Sequence, residues 1–216
     1  MSPSRVGIAL VSLGALSATV SAAEILNTGT PDGGFFGFIG YDVYTEQSVG
    51  IAFTPTQDYT LDDIGVWMMS NDFESAGRQY HLSLQLDASG TGTPSIPSGV
   101  EIEGWDMATG AIGWSPVLDV ATSVLNPVLS GGITYWVVAS SDEEAFVDPV
   151  WVWGSDWAPY YSGFNNSANA NGWADGAGYT EGSAPGTVIN ATPVPAPGAL
   201  CLLAAPAIGA LRRRRR

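Results

Sequence analysis

The stretch "RQYHLSLQLD", residues 78–87, narrows the fold of this chain more than any other ten residues. Tyr80, Leu82, Leu84 and Leu86 fall on one side, and His81, Ser83, Gln85 and Asp87 on the other. Period two of this kind is the mark of a half-buried β-strand. "YTLDDIGVWMMS" (59–70) places Ile64, Val66 and Met68 on one face, with Leu61 out of phase. "GITYWVVASS" (132–141) is apolar on both faces, as in a central strand covered from both sides. "SVGIAFT", "GVEIEGWDM" and "DPVWVWGS" read as three further strands.

Gly-, Pro- and Ser-rich turns such as "DASGTGTPSIPSG" and "NPVLSGG" separate these runs, and no helical period is sustained between Glu24 and Gly182. The pattern predicts an all-β domain over residues 24–182. An antiparallel β-sandwich of jelly-roll type is expected, with an up-and-down barrel as the alternative. Leu82, Leu84, Leu86, Ile133, Tyr135, Trp136 and Val137 are the expected core. Residues 165–186 are small and polar, and residues 183–193 read as a flexible linker.

The two ends have a different character. Arg5, the apolar run Val6–Leu16 and the small residues up to Ala22 and Ala23 have the order of a secretory signal peptide, residues 1–23. Cleavage is expected after Ala23 or Ala22. At the other end, residues 194–216 comprise Val194, Pro195, Ala196, Pro197 and Gly198, an apolar run to Leu211, and Arg212, Arg213, Arg214, Arg215 and Arg216. An apolar run of about 14 residues makes about 21 Å of helix, short of the roughly 30 Å hydrocarbon core. The run is therefore a marginal transmembrane helix. The arginines orient it with the tail in the cytoplasm.

Removing both ends leaves Arg78 as the sole basic residue beside 21 acidic ones. Nucleic acid, which demands Lys and Arg against its phosphates, is excluded as a partner. Loosely held divalent cations and cationic partners are compatible with such a field. Cys201, the single cysteine, lies in the C-terminal apolar run, so no disulfide staples the domain and a packed core must hold it.

The last 23 residues, "VPAPGALCLLAAPAIGALRRRRR", resemble the PEP-CTERM sorting signal of exported bacterial proteins. That signal has a Pro-x-Pro motif, an apolar helix and a terminal basic cluster, and here Ala196 stands where the family usually has glutamate. The resemblance implies recognition at the inner membrane by an exosortase-type membrane protease. The tail would then be removed and the protein left at the cell surface or outside the cell. "IAFTPTQDYTLDDIGVWM", read as a strand pair opening the domain, and "LSGGITYWVVAS" resemble the choice-of-anchor ectodomains found upstream of such signals. That resemblance implies a surface β-sandwich and carries over no catalytic residue.

Catalytic chemistry finds little support in the residues. His81 is the single histidine and is expected on the outward side of its strand, which leaves no multi-histidine zinc site. Paired carboxylates of a glycosidase could be drawn from Glu101 and Glu103, Asp62 and Asp63, or Glu143 and Glu144. A chain this acidic produces such pairs without function, and no enzyme activity or obligatory cofactor is expected. Calcium is the one metal the residues admit, with Asp142, Glu143, Glu144 and Asp148 of "SDEEAFVD" as its candidate ligands. The segment "WVWGSDWAPYYSGF" is rich in aromatics: Trp151 and Trp153 are expected in the core, and Trp157, Tyr160 and Tyr161 form a candidate stacking surface for extracellular polysaccharide. Two readings follow: a non-catalytic exported surface or matrix protein, and a carbohydrate-binding module.

Overall fold

The alternation of residues 80–84 is realised in the computed structural model: Tyr80, Leu82 and Leu84 are buried while His81 is half exposed. The structure describes residues 21–33, 37–75, 77–110, 112–156, 160–166, 173 and 184–195. Those residues form β1 (Ala23–Asn27), β2 (Gly40–Asp42), β3 (Gln47–Phe53), β4 (Tyr59–Ser70), β5 (Gln79–Asp87) and β6 (Pro97–Ala108). They continue with β7 (Val117–Thr122), β8 (Val128–Leu129), β9 (Tyr135–Ser140), β10 (Pro149–Val152), β11 (Tyr161–Asn166) and β12 (Thr187–Pro193). The described residues contain no helix, and all strand pairs are antiparallel.

The strands make two sheets. One runs β1-β12-β4-β10-β2, with β7 and β8 paired along the other side of the long β4; the second runs β11-β3-β9-β5-β6. Both sheets contribute to one core: Leu61, Ile64, Trp151 and Ile189 from the first meet Ile51, Leu82, Leu84 and Val137 from the second. The described residues are thus all-β, with two antiparallel sheets sharing a core, an arrangement consistent with a β-sandwich. The consecutive strands β3 and β4, expected to pair, instead lie in different sheets.

The phase break in β4 has a physical cause. Asp63 faces Asn190 while Leu61 faces Ala191, so Asp62 is an extra residue in the ladder. This β-bulge turns Leu61 back onto the face of Ile64, and both are fully buried. Strand β9 is central, between β3 and β5, and is covered on both faces as its composition requires. Tyr135 and Val137 point into the shared core, while Trp136 and Val138 are sealed beneath Tyr161 and Trp173 on the other side. Asp87 lies under the same outer layer. Its carboxylate accepts Trp136 Nε1 at 2.7 Å, Ser95 N at 2.7 Å and Ser89 N at 2.8 Å. Burial alone raises an acid's pKa, but the Ser89, Ser95 and Trp136 donors outweigh it and hold Asp87 down at about 2.

Three expectations need correction. Leu86 is 38 % exposed rather than core, because β5 and β6 lose register around Gln85 and Asp87 at the strand's end. Ile133 is only half buried and packs at the margin of the core. Residues 187–193, expected within a linker, form β12, hydrogen-bonded to β1 on one side and β4 on the other. Thr187, Ile189 and Ala191 alternate inward with period two, and Ile189 and Ala191 are fully buried. The sheet therefore extends through β12 to Pro193.

Candidate functional site

Antiparallel pairing brings three strand ends side by side. Strand β2 ends at Asp42, β10 begins just after Asp148, and β4 ends just before Asn71. Val150 pairs with Asp42 and Pro149 with Ser70, so the order across the sheet is Asp42, Asp148, Asn71. Asn71 Nδ2 donates to Asp42 Oδ1 at 3.0 Å and to Asp148 Oδ1 at 3.2 Å. The orientation of that amide is fixed from behind, since Trp114 Nε1 donates to Asn71 Oδ1 at 3.1 Å.

The two carboxylates differ in setting. Asp42 is exposed, whereas Asp148 is 0 % exposed and its Oδ2 has no hydrogen-bond partner. Burial raises the Asp148 carboxyl above the usual range; the Asn71 amide opposes this, and the charge of Asp42 adds to it. The nearby N–H groups of Asp148 and Phe146 lower it by less, and neither satisfies Oδ2.

Around this row the loops expose aromatic rings. Phe73 and Trp114, 65 % and 57 % exposed, stand 5.8 Å apart, and Phe146 is 86 % exposed. Gly113 sets this corner: its φ is +61°, and a Cβ there would lie 2.7 Å from the Phe73 ring.

The other three acids of the expected calcium set do not join Asp148. Glu143 Oε2 accepts from Arg78 Nη1 at 3.2 Å, and its Oε1 caps Gln79 N at 3.1 Å. Arg78 is also paired with Asp72, whose carboxylate accepts from Ser75 and Glu74 N as well. Those donors, Ser75 foremost, hold Asp72 far below the usual carboxylate range. Asp142 gives its backbone carbonyl to Thr45 Oγ1 at 3.1 Å, and the Glu144 carbonyl accepts from Val147 N. Among the described residues, no group of three or more His, Cys, Asp or Glu is placed to hold a metal.

His81 lines a polar cleft of about 480 Å³ with Thr45, Ser48, Asp106 and Ser140. Its Nδ1 lies 2.8 Å from Asp106 and its Nε2 2.9 Å from Glu101. Desolvation lowers its pKa, but the bonds to Glu101 and Asp106 win and raise it. With each nitrogen facing a carboxylate, the setting favours the protonated ring. The candidate acid pairs separate likewise. Glu101 serves His81, while Glu103 binds Ser123 Oγ at 2.6 Å together with the Val124 and Leu125 N–H groups. Asp62 accepts from Thr192 and Asp63 from Asn190.

The aromatic segment is divided between faces. Trp151 is fully buried in the shared core and donates to Gly186 O at 3.0 Å. Trp153 is half buried against Tyr41, ring centroids 5.6 Å apart. Tyr160 packs on the shared core with its hydroxyl 2.5 Å from Asp156 Oδ2, and burial together with that carboxylate raises its pKa. Tyr161 packs on the outer side, edge-on to Trp136. The two tyrosines therefore face opposite ways and make no common platform; Trp157 lies outside the described residues.

At the domain's ends, Ala22 is exposed and Ala23 opens β1, paired in register with Ala191 of β12. Val194 N donates to Asp58 O at 2.9 Å, and Pro195 is exposed. Ala196, Pro197, Gly198 and Arg212–Arg216 lie outside the described residues, as does the apolar run before the arginines. Among the described residues no helix is long and apolar enough to cross a membrane.

Asp42, Asn71, Phe73 and Trp114 were not singled out by sequence reasoning. No spacing rule links them, since only the pairing of β2, β10 and β4 brings them together. Compared with models of known protein families and with curated proteins, the chain matches none.

Proposed function

We propose that this chain is a non-catalytic exported protein of the cell surface or extracellular matrix, with a jelly-roll-like sandwich as its body. Its C-terminal segment is a sorting signal, read at the inner membrane and processed by an exosortase-type protease. The observation that carries this reading is the register of Ala23 with Ala191. In an antiparallel pair this brings the start of β1 and the end of β12 to one pole of the domain. A signal peptide and a C-terminal membrane segment could then be held by one membrane while the body folds outside it. A cut beyond Pro195 would spare β12, which is complete at Pro193.

The engagement of both His81 nitrogens, and a single cysteine that lies at Cys201, support a non-catalytic body. Intact mass of the native protein tests the proposal: the mature chain should begin near Glu24 and end close to Pro195. Mature surface protein still carrying Arg212–Arg216 would refute the processing step.

Carbohydrate binding is favoured by one observation, the exposed Phe73–Trp114 pair. Rings of this kind stack on the apolar faces of sugars, with contact energies of about 1 kcal/mol per ring. Affinity electrophoresis through neutral polysaccharide gels should show retardation of wild type that Trp114→Ala abolishes. Equal migration of the two, matching a gel without polysaccharide, would exclude it.

A further inference from the structure

We propose that Asp42 and Asp148 together bind a divalent metal ion, calcium by preference, at the end of the row formed by β2, β10 and β4. Two carboxylates share the single Nδ2 of Asn71, and the inner one is sealed from solvent with Oδ2 unpartnered. A buried anionic oxygen without a donor is costly, and a second carboxylate alongside adds to the cost.

Among the described residues, no basic side chain is left over to compensate. Between Glu24 and Glu181 the sole basic side chain other than His81 is Arg78, already engaged by Asp72 and Glu143. His81 is itself held between Glu101 and Asp106. Protonating Asp148 removes the charge, but Oδ2 still has no hydrogen-bond partner in the structure. A cation satisfies both demands at once.

The donor set selects the ion. Carboxylate oxygens with neither imidazole nor thiolate suit a hard cation, and calcium tolerates the irregular coordination of two protein anions completed by water. Asn71 is not a ligand. Trp114 holds its Oδ1, so the amide presents only its nitrogen and orients the carboxylates. With two anionic ligands, the affinity belongs in the weak class of extracellular modules, with dissociation constants of about 0.1–1 mM. This site differs from the one expected from the sequence: Asp42 replaces Asp142, Glu143 and Glu144 as the companion of Asp148.

The test uses the full chain. Calcium at about tenfold over its dissociation constant should raise the unfolding midpoint by about 3–5 °C relative to EDTA. Asp42→Asn, which changes an exposed side chain and leaves Asp148 in place, should abolish that rise. Terbium provides a second readout. Excited through Trp114, whose indole stands one side chain from the carboxylates, it should luminesce in wild type, dim strongly in Trp114→Phe and fail in Asp42→Asn. An unchanged midpoint in calcium would overturn the proposal. So would an equal rise in Asp42→Asn, or terbium emission indifferent to both substitutions, which would assign binding to the acidic surface at large.

Discussion

Replacing Ile189 by alanine separates two accounts of residues 183–193. In a flexible linker, a shortened side chain changes stability by a few tenths of a kcal/mol at most. In the structure Ile189 is fully buried in β12, facing the shared core and flanked by β1 and β4. The substitution deletes three carbons, each worth about 0.8 kcal/mol of transfer from water. The cavity left between two hydrogen-bonded neighbours cannot close fully, and the total becomes about 3–4 kcal/mol. That is a large part of a domain's usual 5–15 kcal/mol. With a urea slope of about 2 kcal/mol/M, the midpoint should fall by about 1.5–2 M. Tryptophan fluorescence is a suitable probe because Trp151 and Trp136 are both sealed in the fold. A midpoint within about 0.2 M of wild type, at unchanged slope, would refute the placement of β12 in the sheet.

Truncation should draw the same boundary: ending the chain after Pro195 leaves the urea midpoint unchanged, whereas ending it after Gly186 yields a protein with no cooperative transition. Leu84→Asp places an unpaired carboxylate among Leu82, Val137 and their neighbours. It should abolish folding, read as loss of near-ultraviolet circular dichroism, since the cost of several kcal/mol rivals the whole stability. Asp87, held at about 2 against the ordinary aspartate value of 3.8, contributes stability that is fully present above pH 4 and is lost as pH falls toward 2. Asp87→Asn should therefore be less stable at pH 7 and show a shallower loss between pH 4 and 2 in urea titrations. His81 works in the opposite direction: its raised pKa gives stability that is present below pH 6.5 and declines as pH rises through the folded value. His81→Gln should flatten that small slope between pH 6 and 8.

The strands that carry the core announced themselves wherever side chains alternated strongly, as in β5, or were apolar throughout, as in β9. Even the misplaced phase of Leu61 was a true signal, since it marks the bulge at Asp62. Strand β12 escaped because its inward residues are Thr187, Ile189 and Ala191, two of them small, set among glycine, serine and proline. Its alternation is legible once the partners β1 and β4 are known. Composition alone weighs against it. The candidate site was less accessible still. Asp148 was singled out for crowding with acids nearby in sequence, but Glu143 is taken by Arg78, and the true neighbour, Asp42, is more than a hundred residues away. Side-chain alternation specifies faces, whereas the meeting of strand ends depends on sheet order, which local pattern does not encode. The two tyrosines of the aromatic segment part for a related reason: Tyr160 and Tyr161, adjacent in sequence, pack against different clusters.

The central position of β12 also has a mechanical meaning. Any tether attached beyond Pro195 pulls on a strand bonded to β1 on one side and to β4 on the other. Drag on the opposite pole of the domain would then load those two ladders in shear, many hydrogen bonds bearing force together. Had the last strand been an edge, the same pull could have peeled it away one bond at a time. A single-molecule pull from Pro195 against the far loops should therefore meet its highest resistance when β12 slides.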